Sequence, residues 1–178
     1  MKTYIALLRG INVSGQKKIK MADLKLLFEN LSFKNVRTYI QSGNVIFDSS
    51  KSNTSELASL IQSGIQKDYG FEVPILVVNS AYINDVVKNN PWNKDKNTDQ
   101  MYFTFLHEVP SEENVEVIRK ISFPAEEFVI DKDVIYFYSA NGYGRAKMNN
   151  NYFENKLKVK ATTRNWKTLN KIIAITNE

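Results

Sequence analysis

Between the apolar run Tyr4-Ile5-Ala6-Leu7-Leu8 and a helical pattern beginning at Met21, the chain carries Arg9, Asn12, Lys17, Lys18 and Lys20 and no acidic residue. Gly10 and Gly15 lie in the same stretch. Glycine lets backbone amides come close to a ligand and the cations supply charge, so this loop is a candidate anion site. Its spacing invites comparison with the phosphate-binding loop G-x-x-x-x-G-K-[ST]. The comparison fails at the chemistry: Gln16 stands in the lysine position, no hydroxyl follows it, and the helix starts too late to close on a phosphate. Weak anion binding survives that failure, against the plainer reading of a solvated loop whose glycines make turns.

Gln41-Ser42-Gly43-Asn44 is first of all a turn between two strand patterns, and its amides and hydroxyl are second candidates to orient a ligand held by the first loop. Ser42 has no base in sequence reach, because His107 is the one histidine and nothing brings it near. Near the other end of the chain, Thr162-Thr163-Arg164-Asn165-Trp166 reads as a helix start with a threonine cap and free first-turn amides. Arg164 would then grip a phosphate or carboxylate in a forked contact, helped by Arg145 from the loop Asn141-Gly142-Tyr143-Gly144. Tyr143 and Trp166 are candidates to stack on a base or sugar, or else belong to the core.

Apolar periodicity supplies the elements that must position these groups. A strand is predicted over 3–8, a helix over 21–31, strands over 35–40 and 44–48, a helix over 54–69 and an edge strand over 73–78 that starts beside Pro74. A short helix over 81–88 and a charged connection over 90–99 follow. The same order then restarts with a strand over 101–106, a helix over 111–120 capped by Ser111, and a hairpin over 127–131 and 134–139 turning at Lys132. A helix over 148–155, a strand over 157–161 and a final helix over 163–175 complete the reading. The expected fold is therefore α+β: two ferredoxin-like β-α-β-β-α-β halves packed together, residues 1–79 and 100–178, joined by 80–99, with an extra C-terminal helix. In that topology the loop leaving the first strand meets the hairpin 41–44, and 141–147 meets 162–166.

Charge is unevenly spread: residues 1–20 carry +5, residues 141–178 carry +6, and the middle carries −6. Basic ends point to an anionic partner, either a small ligand or a nucleic acid. Without cysteine there is no disulfide framework, thiolate metal site or thiol nucleophile, and with one histidine a metal site is not expected. No cofactor is indicated. Six residues between Lys2 and Arg9 are too few for a signal-peptide core and no apolar run spans a bilayer, so a cytoplasmic protein without a membrane partner is expected. The leading reading is a protein that binds, or acts on, a small phosphorylated or carboxylated molecule or nucleotide through Arg9, Asn12, Lys17, Lys18, Gln41, Ser42, Asn44, Arg145, Arg164, Asn165 and Trp166. The alternatives are a nucleic-acid-binding module, although the aromatic signature of RNA-recognition sheets is absent, and a protein-interaction domain without catalysis. No catalytic residue and no oligomeric state follow from these features.

Four stretches resemble a known family: Tyr4 to Val13, Lys20-Met21-Ala22-Asp23-Leu24, Arg37 to Phe47, and Ala161 to Trp166. They are similar to the bacterial proteins grouped as domain of unknown function 1697. That family's pattern has glycine where this chain has Ser14, and glycine near Ser32. The resemblance implies a duplicated ferredoxin-like fold, and it implies no activity.

Overall fold

A computed structural model describes residues 1–92 and 95–178; Asn93 and Lys94, which fall in the expected connection, lie outside the described residues. The chain divides into two units, Met1–Asn84 with Ile172–Glu178, and Asp85–Lys171. The sequence placed its divisions at 79 and 99; by contact the first division falls at 84, and the last seven residues group with the first unit.

The first unit runs β1 (Lys2–Leu8), α1 (Met21–Asn30), β2 (Lys34–Tyr39), β3 (Asn44–Ser49), α2 (Thr54–Tyr69), β4 (Ile75–Asn79). Its antiparallel sheet has the order β2-β3-β1-β4. Strand alternation sends Tyr4, Ala6, Leu8, Val45 and Phe47 to one face, where Leu24, Leu27 and Phe28 of α1 and Leu57, Ile61 and Ile65 of α2 cover them. Those helix residues recur at three and four positions, the spacing that puts them on one stripe. Phe47 stands at the centre, 5.3 Å from Phe28 edge-on and 4.5 Å from Phe33. Asn53 starts α2 by accepting from the amides of Ser55 and Glu56, and Gly70, at φ 74°, ends it. α1 ends without glycine: Ser32 takes φ 68° while its N–H bonds Glu29 O and that of Phe33 bonds Phe28 O. This is the closing pattern that glycine usually serves. Ser14 is also left-handed, at φ 50°. The two positions at or near which the family has glycine are thus both backbone sites where a side chain is strained.

α3 (Ser80–Lys88) leads to the second unit: β5 (Met101–Leu106), α4 (Glu112–Arg119), β6 (Glu126–Asp131), β7 (Val134–Ser139), α5 (Asn150–Leu157), β8 (Ala161–Asn165), then α6 (Trp166–Thr176). The sheet order β6-β7-β5-β8, again antiparallel, repeats the first unit's. Ile135 and Phe137 pack with Ile118 of α4 and Phe153 and Leu157 of α5. Ser111 caps α4 as expected, through Asn114 N. The fold is therefore α+β with two similar halves and a C-terminal helix.

The last strand is a correction. It covers 161–165 instead of 157–161, and the final helix starts at Trp166 instead of Thr163. Leu157-Lys158-Val159-Lys160-Ala161 alternates like a strand, but Phe153 and Leu157 are four apart and both enter the core from α5, and the chain then turns at Lys158, φ 60°. The β-branched pair Thr162-Thr163 belongs to the ladder.

Candidate functional site

β1 and β3 are neighbours with Leu7 opposite Asn44, so the loop leaving β1 lies against the β2–β3 hairpin. Leu8 N–H donates to Gly43 O at 2.8 Å and Arg9 N–H to Pro74 O at 3.0 Å, extending β1 on both edges. Beyond them the loop is wound tightly: Gly10, Asn12, Ser14, Gly15 and Lys17 all have positive φ. Asn12 is its hub. Its Nδ2 donates to Ile19 O at 2.9 Å and Gln41 O at 3.0 Å, and its Oδ1 accepts from Ile19 N at 2.9 Å. One asparagine thus closes the loop and ties it to the hairpin. An asparagine tolerates the left-handed backbone better than most side chains, which suits it to φ 56° here. Gly43 makes the close approach from the other side, since a Cβ there would lie 2.7 Å from Leu8 Cβ.

This arrangement leaves a cleft of about 610 Å³, lined by Asn12, Gly15, Lys18, Ile19, Lys20, Met21, Asp23, Gln41 and Tyr69. Ile19, Met21 and the Tyr69 ring give it an apolar floor. Lys18 and Lys20 are exposed at its rim. α1 opens beside it, and the residue before the helix, Lys20, makes no side-chain cap. Tyr69 has its hydroxyl pKa raised by burial, then by Asp23 and Asp68, so it is a neutral donor at physiological pH.

Of the first-loop candidates, Asn12, Lys18 and Gln41 meet in this cleft. Lys17 is drawn elsewhere, donating to Glu72 O at 2.6 Å. Asn44 is buried and structural, its Nδ2 donating to Tyr39 O and to Ser42 Oγ at 3.0 and 3.1 Å, so both residues hold the hairpin turn. Arg9 is half-buried at the β1 end and is not among the lining residues. Asp23 and Tyr69 escaped the sequence reading. The signal was topological: in this fold α1 starts, and α2 ends, at the same sheet end as the loop and the hairpin.

The second loop cluster lies at the opposite end of its sheet, after the third and fourth strands of the unit, and looks different. β7 and β8 both finish beside the start of β5, so 140–147 and Asn165 share one end of the sheet as expected. The cluster is closed by hydrogen bonds among its own side chains and backbone amides. Tyr143 N–H donates to Tyr102 OH at 3.2 Å, and Asn150 N–H donates to Tyr143 OH at 2.8 Å. The chain of bonds continues from Thr163 Oγ1 to Asn150 Oδ1 at 3.0 Å and between the hydroxyls of Thr104 and Thr163 at 2.8 Å. The expected helix-start site at Thr162–Asn165 is overturned by the strand assignment. Arg164 lies within β8 opposite Phe103, is 8% exposed, and donates to Thr163 O. Burial lowers its pKa to about 10, which leaves it charged at neutral pH. Asn165 caps α6 through Thr168 N at 2.8 Å, Trp166 is the first residue of that helix and half-buried, and Arg145 is exposed in a 3₁₀ turn. His107 Nε2 lies 3.2 Å from Thr162 Oγ1.

The sheet faces turned away from these helices are not open platforms. Ile5, Leu7 and Ile46 in the first unit and Phe103, Phe105 and Tyr136 in the second are all buried. Among the described residues no three His, Asp or Glu side chains gather as a metal site, and no helix is long and apolar enough to cross a membrane.

Comparison with known proteins bears on the fold and the family. Among curated proteins there is no match. The conserved bacterial protein SP0830 from Streptococcus pneumoniae has a similar structure, with a TM-score of 0.78 and 24% identity over 100% of this chain and 99% of that one. A family model described as a protein of unknown function, DUF1697, matches residues 1–136, which include three of the four stretches noted above but not Ala161 to Trp166. The chain belongs to the DUF1697 family.

Proposed function

We propose that the cleft of the first unit binds a small anionic molecule, phosphorylated or carboxylated, nucleotides included. One observation carries the reading: two rim lysines, Lys18 and Lys20, and the start of a helix without a side-chain cap converge on one cavity with an apolar floor. A helix start presents unpaired amides and the positive end of the helix dipole, and lysines act as point charges for phosphate. Asp23 and the Gln41 amide on the same wall favour a ligand that carries hydroxyl or amine donors next to its anionic group. Tyr69 and Met21 suit a flat or apolar portion. A nucleic-acid reading lacks this support, because base stacking on a sheet of this kind needs exposed aromatics and the sheet faces are buried.

Thermal unfolding of the full chain with inorganic phosphate, nucleoside phosphates, sugar phosphates and small carboxylates tests the proposal. A ligand at a hundred times its Kd stabilises the protein by about 2.7 kcal/mol. The double variant Lys18→Ala/Lys20→Ala should unfold at nearly the wild-type temperature without ligand, since both side chains are exposed, and should lose the ligand shift. Absence of a shift with every compound, or an equal shift in the double variant, rejects the cleft as an anion site.

A further inference from the structure

The cleft of the first unit holds charges of both signs that do not meet. Lys18, Lys20 and Asp23 all line it, and all three residues are exposed. Among the described residues, neither ammonium group has an ion-pair or hydrogen-bond partner and the carboxylate accepts no hydrogen bond, from the lysines or from elsewhere. Asp23 is the third residue of α1, the place from which a longer glutamate would reach back to the amide before the helix, and it makes no such bond. Its field does reach Tyr69: after burial, Asp23 is the next cause of the raised Tyr69 pKa, which sets carboxylate and phenol on neighbouring walls.

Two requirements on the ligand follow from these charges. It must offer an anionic group to the lysines and hydrogen-bond donors to Asp23, because a carboxylate only accepts. Its charge must also be modest. Two cations against one anion leave the lining one net positive charge, and the flanking pair Lys17 and Asp68 leaves that balance unchanged. A phosphate monoester, with a charge of about −1.5 to −2, comes near this balance, whereas a triphosphate far exceeds it.

We infer that the ligand is a ribonucleoside 5′-monophosphate, with its phosphate at Lys18 and Lys20, its ribose diol on Asp23 and its base over Ile19, Met21 and Tyr69. This deepens the reading of the cleft as an anion site and rests on it. A carboxylate accepts from both hydroxyls of a cis-diol, the means by which dinucleotide-binding folds hold ribose with an acid. The apolar floor and the Tyr69 ring give a planar base a surface. At about 610 Å³ the cavity lies within the range of small-molecule sites and is larger than a bare phosphate fills.

Calorimetric titration of the full chain at constant ionic strength, without divalent metal, compares adenosine monophosphate with its 2′-deoxy analogue, ribose 5-phosphate, adenosine triphosphate and inorganic phosphate. Adenosine monophosphate should bind about tenfold tighter than the deoxy analogue and ribose 5-phosphate, and about fivefold tighter than the triphosphate. Asp23→Ala should fold normally, since the side chain is exposed and unbonded. It should abolish the preference for ribose over deoxyribose and tighten the triphosphate and inorganic phosphate about threefold, opposite changes that a merely structural role would not produce. Absence of binding by every compound overturns the anion site and this inference with it. Equal binding of ribose and deoxyribose compounds, equal binding of ribose 5-phosphate and adenosine monophosphate, or uniform weakening of all ligands in Asp23→Ala overturns the ribonucleotide assignment alone and leaves the anion site standing.

Discussion

The two loop clusters lie at opposite ends of one repeated sheet, after β1 and at the β2–β3 hairpin in the first unit and after β7 and β8 in the second, and the first borders a cleft while the second is cross-bonded. In the first unit a single side chain, Asn12, organises the loop, and its bonds go to backbone carbonyls and an amide at the edge of the cavity. In the second, Tyr102, Tyr143, Asn150 and Thr163 bond one another across that end. The basic, glycine-containing loop borders a cavity where one asparagine holds it from behind, whereas the second cluster is held by tyrosine hydroxyls.

Gly43→Ala should break the first cluster most severely. The new Cβ meets Leu8 Cβ at 2.7 Å and Ile11 Cδ1 at 2.9 Å, at a backbone φ of +84°. Overpacking and a left-handed alanine together should cost about 3 kcal/mol, measured by urea unfolding. Asn12→Ala comes next, at about 2 kcal/mol, because three hydrogen bonds go and the remaining residue is left in a strained backbone. Ligand response should vanish with it, whereas the second cluster should keep its amide protection.

How much of this was legible in the sequence differs by element. The element order, the Gly43 turn and the meeting of loop and hairpin follow from period-2 and period-3.6 patterns and from the rule that β1 and β3 are neighbours. Which side chains point into the cleft does not follow, because Lys17 and Lys18 are adjacent in sequence and have opposite fates, Lys17 bonding Glu72 O and Lys18 reaching the rim. Arg164 was misplaced for a physical reason as well. The alternation from Leu157 to Ala161 imitates a strand, and the error moved the helix start by three residues, turning a buried strand arginine into an expected ligand gripper.

Smaller changes sharpen the contrast. Tyr143→Phe removes the hydroxyl that accepts from Asn150 N–H and should cost about 1 kcal/mol, with ligand response intact, because the residue belongs to the second, cross-bonded cluster. Ser32→Gly should act in the opposite direction. It relieves a left-handed serine at φ 68° while adding freedom to the unfolded chain, for a net gain of about 0.5 kcal/mol read as a small rise in Tm.

The central claim is that the first cluster, and not the second, receives an anion. Amide chemical shifts recorded while inorganic phosphate and then adenosine monophosphate are titrated into the full chain at constant ionic strength test it most directly. The account predicts saturable shifts at Asn12, Gly15, Lys18, Lys20 and Gln41 and still signals at Tyr143, Arg145 and Asn150. Saturable shifts centred on 141–150, or none in the Asn12 to Asp23 stretch with either compound, would contradict it.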